Sequence, residues 1–405
     1  MAIIAVLGTF DSKGEEHAFL AERIRARGHR VLLIDVGTGG PPTIIPNFTS
    51  EQVAASAGIN LAEVLARKDR GECVVAMSHA APVFLAKLAA VNDIDGVISL
   101  GGGGGTAIAT AAMRALPLGF PKLMVSTLAA GNTAHYLGTK DIVMMPSIAD
   151  VAGLNRLSRL IFSRAAGAIC GMVEAEIEKD GSRRLVVASM FGNTTACVTE
   201  AKRIIEEAGY EVLVFAATGA GGKSMEALIE SGLVAGVLDL TTTEWADELV
   251  GGALNAGPER MDAAAKARIP AVIAPGCLDM VNFGERDSIP EKFAGRNFYI
   301  HNPQVTLMRT TPEECAKLGR IIAEKVNRYE APAVIMIPKK AISVISAADQ
   351  PFHDLAADEA LFEAIRGNAK VPVEEFDEEI NSPVFARACA EKLLALMNST
   401  PKVEP

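Results

Sequence analysis

The chain has 405 residues, of which 49% are hydrophobic and 22% are charged, and its formal net charge at pH 7 is -10. This length exceeds what a single hydrophobic core usually fills, so it predicts two domains of about 200 residues each. The acidic balance argues against a nucleic-acid or anionic-membrane partner, since both require a basic surface.

The cysteines and the N-terminus indicate a reduced compartment. The 6 cysteines are scattered without a Cys-x-x-Cys pair, which argues against a zinc ribbon and against a disulfide framework. The apolar start lacks the basic region of a signal peptide, and polar Asp11, Lys13 and Glu15 follow at once. Because no uninterrupted apolar run reaches about 18 residues, we expect no membrane span and a cytoplasmic location.

Apolar runs and helical patterns alternate through the first half of the chain. The predicted elements are strands at 2–7, 31–36, 96–100 and 123–126, helices at 15–27 and 154–170, and three to four short helices within 50–91. A polar turn at residues 179–182 then predicts a domain boundary. Residues 1–180 form the predicted N-terminal domain and residues 181–405 the C-terminal domain.

The second half repeats the pattern of the first. Residues 2–12 read AIIAVLGTFDS and residues 185–195 read LVVASMFGNTT, each an apolar run that ends in a glycine turn before a helix. Further strands are predicted near Val212, Val234, Ala271 and Ala333, and a last helix at 382–398. The fold class predicted is α/β, with two similar Rossmann-like open parallel-sheet domains arranged around a cleft.

A run of five glycines, Gly101 to Gly105, follows one predicted strand and precedes Thr106. It removes every side chain from a strand-to-helix turn, where backbone amides can cradle an anion. A flexible hinge or a tight helix-sheet contact is the alternative. The run is not a dinucleotide fingerprint, because Thr106 replaces the last glycine and no acidic residue follows about 20 positions later.

The turn from Gly8 to Gly14 carries hydroxyls, a carboxylate and a lysine at the start of a helix. Thr9 and Ser12 suit phosphate oxygens, Lys13 offsets their charge, and Asp11 suits magnesium held through water. In the alternative interpretation, Asp11 or Ser12 caps the helix and Lys13 is solvated. The nucleotide contacts predicted overall are Gly8, Thr9, Asp11, Ser12, Lys13, Gly101, Gly102, Gly103, Gly104, Gly105, Thr106, Ser126 and Thr127.

Two turns in the second half match glycine turns in the first. Residues 219–224 read GAGGKS, but a Walker motif requires glycine where Ala217 stands, so a phosphate-binding loop is disfavoured. The Gly192 and Gly219 turns are instead expected to complete or close the cleft. Thr241 to Glu244 occupies the place of the five glycines, and a capping box between these two residues is its plain structural interpretation.

The catalytic candidates are few. Cys277 with His301 and Asp279 could provide a nucleophile, a base and an orienting group, and His353 is a further polar candidate. Adjacency in sequence does not bring these side chains together. Buried packing of the cysteine, and histidines bound to loop carbonyls, are the alternatives.

Nine ordered motifs carry a resemblance that spans essentially the whole chain. They are GTFDSKGEE, DVGTGG, GGGGGT, MVSTLAAGN, FGNTTACV, ATGAGGKSME, DLTTTEWADEL, PGCLDMVNFG and HNPQVTLMRTT. Together they resemble the tobamovirus-multiplication-inhibitor-like ATP-binding family, whose usual first motif differs at Phe10 and Ser12. The resemblance implies a two-domain Rossmann-like protein that binds ATP with magnesium and self-associates as a homo-oligomer. Plant members continue into a TIM-barrel-like region that this sequence lacks, so their antiviral role is not expected here.

The predicted function is therefore ATP binding on the N-terminal glycine turns near the cleft, with action on a small metabolite as the enzyme hypothesis. The alternative is a non-catalytic, ATP-dependent regulatory or protein-binding module. A third hypothesis, a nicotinamide-dependent oxidoreductase, depends on Asp35 binding a ribose hydroxyl at a strand end. The missing dinucleotide fingerprint disfavours it.

Overall fold

The computed structural model describes residues 1–176 and 183–399. Contacts divide the chain into two compact units, Met1–Glu178 and Lys179–Pro405, called unit 1 and unit 2 below. The predicted boundary between residues 180 and 181 lies outside the described residues.

Unit 1 is a five-stranded parallel sheet with helices on both faces. Its strands are β1 Ile3–Gly8, β2 Arg30–Asp35, β3 Gly96–Gly101, β4 Lys122–Ser126 and β5 Val143–Pro146. Its helices are α1 Phe10–Arg25, α2 Ser50–Ser56, α3 Leu61–Ala66, α4 Arg70–Ala90, α5 Gly103–Arg114, α6 Ala134–Leu137 and α7 Arg156–Glu174. The strand order is β2-β1-β3-β4-β5, so the chain reverses its direction across the sheet between β1 and β3.

The strands of unit 1 are apolar throughout because helices cover both faces of the sheet. In β1, Ala5 and Leu7 belong to the core cluster packed by α4 and α5. The intervening Ile4 and Val6 belong to the cluster packed by α1 and α7. This alternation is the two-residue period of a strand, and it places the ends of β1 and β3 between two packed layers.

Helix α4 is, in the described part of the chain, the one helix long and apolar enough by length and composition to cross a membrane. Its residues Met77, Ala81 and Leu85 are fully buried in the core of unit 1. A core helix of a soluble protein meets the same criterion, and one such helix is weak evidence for a membrane span.

Unit 2 repeats this architecture with an addition. Its strands are β6 Leu185–Met190, β7 Glu211–Ala216, β8 Val234–Thr241, β9 Ala271–Gly276, β10 Met280–Phe283, β11 Phe298–Asn302, β12 Val305–Arg309, β13 Ala333–Pro338 and β14 Val373–Phe376. Its helices are α8 Thr195–Glu207, α9 Ala220–Glu230, α10 Glu244–Val250, α11 Ala263–Ala267, α12 Pro312–Val326, α13 Leu355–Asn368 and α14 Pro383–Ser399. The main sheet has the order β7-β6-β8-β9-β13-β14, whose first five strands match the order in unit 1. The prediction of two similar open parallel-sheet domains is confirmed.

Several boundaries differ from the sequence expectation. Helix α1 begins at Phe10, directly after β1, because the glycine turn is shorter than its composition indicates. Strands β10, β11 and β12 form a separate antiparallel sheet, which was not predicted because strands of four or five residues are too short to show a clear period. The last helix, α14, packs against α8, β8 and β9 within unit 2.

Candidate functional site

Unit 1 contains a cavity of about 1000 Å³ beyond the carboxyl ends of its strands. Thr9 and Asp11 to Lys13 line it from the turn after β1, Gly102 to Gly105 line it after β3, and Thr127 lines it after β4. These turns flank the point at which the strand order reverses, where open α/β sheets bind their ligands.

Four of the predicted nucleotide contacts lie behind this lining: Gly8, Gly101, Thr106 and Ser126. Thr106 and Ser126 are fully buried, and their hydroxyl oxygens are 2.7 Å apart in a hydrogen bond. This bond joins the first turn of α5 to the end of β4, so the two residues support the cavity wall.

Asp11 bridges two loops at the cavity. Helix α1 begins at Phe10 with Thr9 as its N-cap residue, so neither Asp11 nor Ser12 is the cap. Asp11 Oδ2 accepts a hydrogen bond from the Gly39 amide at 2.5 Å, and a Cβ on Gly37 would lie 2.8 Å from the Asp11 carboxyl carbon. Asp11 Oδ1 is buried and has no hydrogen-bond partner among the described residues. The Asp11 carboxylate therefore holds the loop at residues 37–39 through one oxygen, while its other oxygen is enclosed and unpaired within the described chain.

His17 holds the Lys13 turn against β3. Lys13 departs from helical geometry with φ -136, and its ammonium donates to the carbonyl of Val151. His17 Nδ1 is 2.6 Å from the Lys13 carbonyl oxygen, and the Leu100 amide donates to His17 Nε2 at 3.4 Å. Burial lowers the pKa of His17 to about 4, so the neutral ring donates through Nδ1 and accepts at Nε2. No motif in the sequence singles out this histidine.

The packing of unit 1 does not require four of the five consecutive glycines. None of Gly101 to Gly105 has a positive φ. A Cβ on Gly103 would be 4.0 Å from its nearest neighbour, and one on Gly104 would be 3.5 Å from Val74. Gly101 alone is tight, with 3.1 Å to the Gly105 backbone. Because residues 102–105 have no side chains, the backbone of the first turn of α5 directly lines the cavity.

Other cavity residues come from segments that the sequence did not single out. Lys68 and Arg70 line it between α3 and α4, and no hydrogen bond or ion pair involves either side chain in the described part of the chain. Leu65, Val74 and Ile108 add apolar surface, and Ile148 to Asp150 add a loop after β5. These residues were missed because generic helices and loops carry no motif.

The Gly219 turn of unit 2, which follows β7 as residues 37–40 follow β2 in unit 1, is filled by the chain itself. Glu244 Oε1 accepts from the Gly219 amide at 2.7 Å and from the Gly222 amide at 3.1 Å. Its Oε2 lies 2.7 Å from Arg260 Nε, and Arg260 also forms a bidentate pair with Asp239. The predicted capping box between Thr241 and Glu244 is wrong, because the glutamate is committed to these amides and to Arg260.

The catalytic candidates have separate hydrogen-bond partners in the described part of the chain. Cys277 is fully buried, and burial raises the pKa of its thiol well above the usual range. Asp279 is also buried, accepts from Ser343 Oγ at 2.7 Å, and has a pKa raised by burial. His301 is exposed, and His353 Nδ1 lies 3.2 Å from the Ser346 carbonyl oxygen. Within the described ranges, no hydrogen bond joins Cys277 to either histidine.

Asp35 lies at the carboxyl end of β2, at the same edge of the sheet as the cavity. Asp35 Oδ1 accepts from the amides of Phe10 and Gly37 at 3.0 and 2.9 Å, and burial raises its pKa. The carboxylate thus holds the backbone around α1, which disfavours a role in binding ribose. Residues 1–176 and 183–399 contain no group of three or more His, Cys, Asp or Glu side chains that could hold a metal alone.

Comparison with known proteins identifies the family. The "Uncharacterised protein family (UPF0261)" N-terminal domain matches residues 2–178, and the C-terminal domain of that family matches residues 183–397. A UPF0261 protein of Clostridium tetani is 48% identical over 97% of this chain and 98% of its own length. The ToMV susceptible protein tm-1(GCR26) of Solanum lycopersicum is 36% identical over 98% of this chain and 56% of its own length.

Among solved structures, a UDP-N-acetylglucosamine 2-epimerase from Rickettsia bellii aligns over 98% of this chain and 96% of its own, at 10% identity and a TM-score of 0.22. So low a score supports no inference about chemistry.

The resemblance predicted from the nine motifs is confirmed by the relatives. The chain belongs to the UPF0261 family, and the tomato tm-1 protein is among its relatives.

Proposed function

We propose that unit 1 binds ATP in its cavity, with the phosphates on the backbone amides that begin α5 and beside the Thr9 to Lys13 turn that begins α1. One observation carries the proposal: the turns on both sides of the strand-order reversal open on the same cavity. The glycines of one of them are not explained by packing. Free amides and the positive end of a helix together favour a bound anion.

Charge and size support a nucleotide over a bare anion. Lys13, Lys68 and Arg70 line the cavity and provide positive charge for a polyphosphate. Leu65, Val74 and Ile108 offer apolar surface suited to a base. A volume of about 1000 Å³ lies at the upper end of the usual range for small-molecule sites.

Asp11 fits the magnesium ion that accompanies ATP. Its Oδ1 is buried without a partner in the described chain, and Mg²⁺ usually takes one or two carboxylates together with water and phosphate oxygens. Bound there, the ion would neutralise phosphate charge. The protein's part is to hold the Asp11 carboxylate in place through the Gly39 amide.

Calorimetric titration of Mg-ATP into the wild type and the Gly103→Ala variant tests this site. The added methyl group has room in the protein, so we expect no loss of stability. It lies where the phosphates would meet the α5 amides, so we expect the Kd for Mg-ATP to rise about tenfold or more. Gly171→Ala, in the exposed part of α7, is the matched control and should leave the Kd unchanged. Unchanged affinity in Gly103→Ala would move the phosphates elsewhere.

A second candidate function is an ATP-dependent binding module without turnover. It is favoured by the cavity lining, because none of Cys277, Asp279, His301 and His353 belongs to it. Assaying the titrated mixture for ADP separates the two functions. Binding without ADP supports the module, whereas steady ADP release would make the protein an ATPase or transferase.

A further inference from the structure

Two residues that line the cavity of unit 1 adopt a backbone conformation that their side chains disfavour. Lys68 has φ 54 and Ile148 has φ 64. Left-handed backbone is common for glycine and asparagine, whereas it is a true outlier for a β-branched residue. Such outliers concentrate at functional sites, where a ligand contact can require a side chain that the local backbone conformation disfavours.

Lys68 lies just past the end of α3, after the C-cap residue Arg67. Its amide donates to the Leu65 carbonyl, which is the bond expected of the residue just past the last turn of a helix. Glycine is the usual choice there because it has no Cβ. Lysine at this position adds no packing, since its side chain is exposed and makes no hydrogen bond or ion pair with the described residues. Its ammonium is therefore free to meet an anion in the cavity.

Ile148 stands at the centre of a tight turn after β5. The Ala149 amide donates to the Ser147 carbonyl at 2.8 Å, and Ser147 Oγ donates to the Ala149 carbonyl at 2.6 Å. This i to i+2 bond with positive φ is a rare and strained γ-turn. The isoleucine side chain remains 77% exposed, so no core packing explains why an apolar, β-branched residue occupies the turn.

We infer that Lys68 and Ile148 are ligand contacts of the nucleotide site: Lys68 binds the terminal phosphates and Ile148 packs on the base. This inference rests on the proposed ATP site. The two contacts act on different parts of the ligand. Inorganic tripolyphosphate, which has no base, should depend on Lys68 and be indifferent to Ile148. ATP should depend on both.

The experiment compares Lys68→Gly and Ile148→Gly with the wild type in calorimetric titrations of Mg-ATP and of tripolyphosphate, together with Tm. Lys68→Gly should weaken both ligands about tenfold. Ile148→Gly should weaken ATP about tenfold and leave tripolyphosphate unchanged. Both variants should keep or raise the Tm, by up to about 3 °C, because glycine relieves the left-handed backbone.

The matched control is Arg268→Gly. Arg268 has φ 53 at the end of α11 in unit 2, does not line the cavity, and forms an exposed pair with Glu330. The Arg268→Gly variant should also keep or raise the Tm, and it should bind Mg-ATP and tripolyphosphate with wild-type affinity. Ile148→Val, which retains the apolar contact, should restore ATP affinity.

Wild-type affinity for both ligands in Lys68→Gly and Ile148→Gly would overturn this inference and leave the ATP proposal standing. A wild type that binds neither ATP nor tripolyphosphate would overturn both. A clear loss of Tm in both glycine variants would mean that the left-handed residues serve the fold.

Discussion

Each unit has a glycine-rich turn at the carboxyl edge of its main sheet, after β3 in unit 1 and after β7 in unit 2, and the two turns face different surroundings. In unit 1, Gly102 to Gly105 line a cavity and no side chain approaches a Cβ built on Gly103 closer than 4.0 Å. In unit 2, a Cβ on Gly222 would lie 2.2 Å from Glu244 Oε2. Glycine in unit 2 makes room for the chain's own carboxylate, whereas in unit 1 the room is left for something else.

The difference shows what a helix N-terminus requires. Its unpaired amides need an acceptor, and a glutamate held by Arg260 supplies one to α9. This carboxylate takes the place that a phosphate would occupy at such a turn. The chain thus carries one glycine turn whose backbone faces a cavity and another whose amides are bound by its own carboxylate.

The largest effect is expected from opening the closed turn. Glu244→Ala removes one of the carboxylates that pair with fully buried Arg260 and the acceptor of two amides, so we expect the free energy of unfolding to fall by about 3–5 kcal/mol. Urea unfolding measures the loss. Glu230→Ala, which breaks an exposed pair with Lys266, should cost under about 1 kcal/mol. A loss in Glu244→Ala as small as in this control would contradict the comparison.

The two units should also respond to pH in opposite directions. The folded pKa of His17 in unit 1 is about 4, against 6.5 when unperturbed, so its unfolded form takes up a proton first and stability is lost as pH falls from 6.5 to 4. Burial raises the pKa of Asp247 in unit 2 from 3.8 to about 7, so stability is lost as pH rises between these values. Each of these pKa shifts corresponds to a change of roughly 3–4 kcal/mol in the free energy of unfolding.

Hydrogen exchange measured from pH 4 to pH 7 would follow the two units separately. His17→Asn should flatten the pH dependence in unit 1, and Asp247→Asn should flatten it in unit 2. His79→Gln, at an exposed position on α4, is the control and should change neither. Parallel slopes in both units would show that these buried groups do not govern the response.

The smallest effects come from adding one methyl group to each glycine turn. Gly222→Ala forces its Cβ against the fixed Glu244 carboxylate and should cost about 1–3 kcal/mol. Gly104→Ala meets Val74 at ordinary contact distance and should stabilise α5 by up to about 1 kcal/mol. Thermal unfolding of the two variants provides the comparison. Equal losses would mean that the unit 1 turn is as crowded as the unit 2 turn.

Much of the fold could be predicted from the chain, because buried parallel strands are continuous apolar runs that end in recognisable turns. The repeat between residues 2–12 and 185–195 is visible in the sequence alone and correctly predicts a second parallel sheet. The antiparallel strands β10 to β12 were not predicted, because each has only four or five residues and so shows no clear period in the sequence. Lys68 and Ile148 escaped for a different reason, since backbone dihedrals leave no mark on composition.

The sequence by itself determined the family, the fold class, the duplication and the two turns that line the cavity, because each depends on local pattern or on motifs in order. Only the tertiary structure decided which glycine turn is open. That choice depends on where Glu244 and Arg260, which are remote in sequence from Gly219, place their charges. It also decided that Cys277 is buried and that Asp35 holds backbone amides. Packing between distant segments sets burial and hydrogen-bond partners, so no local pattern could reveal them.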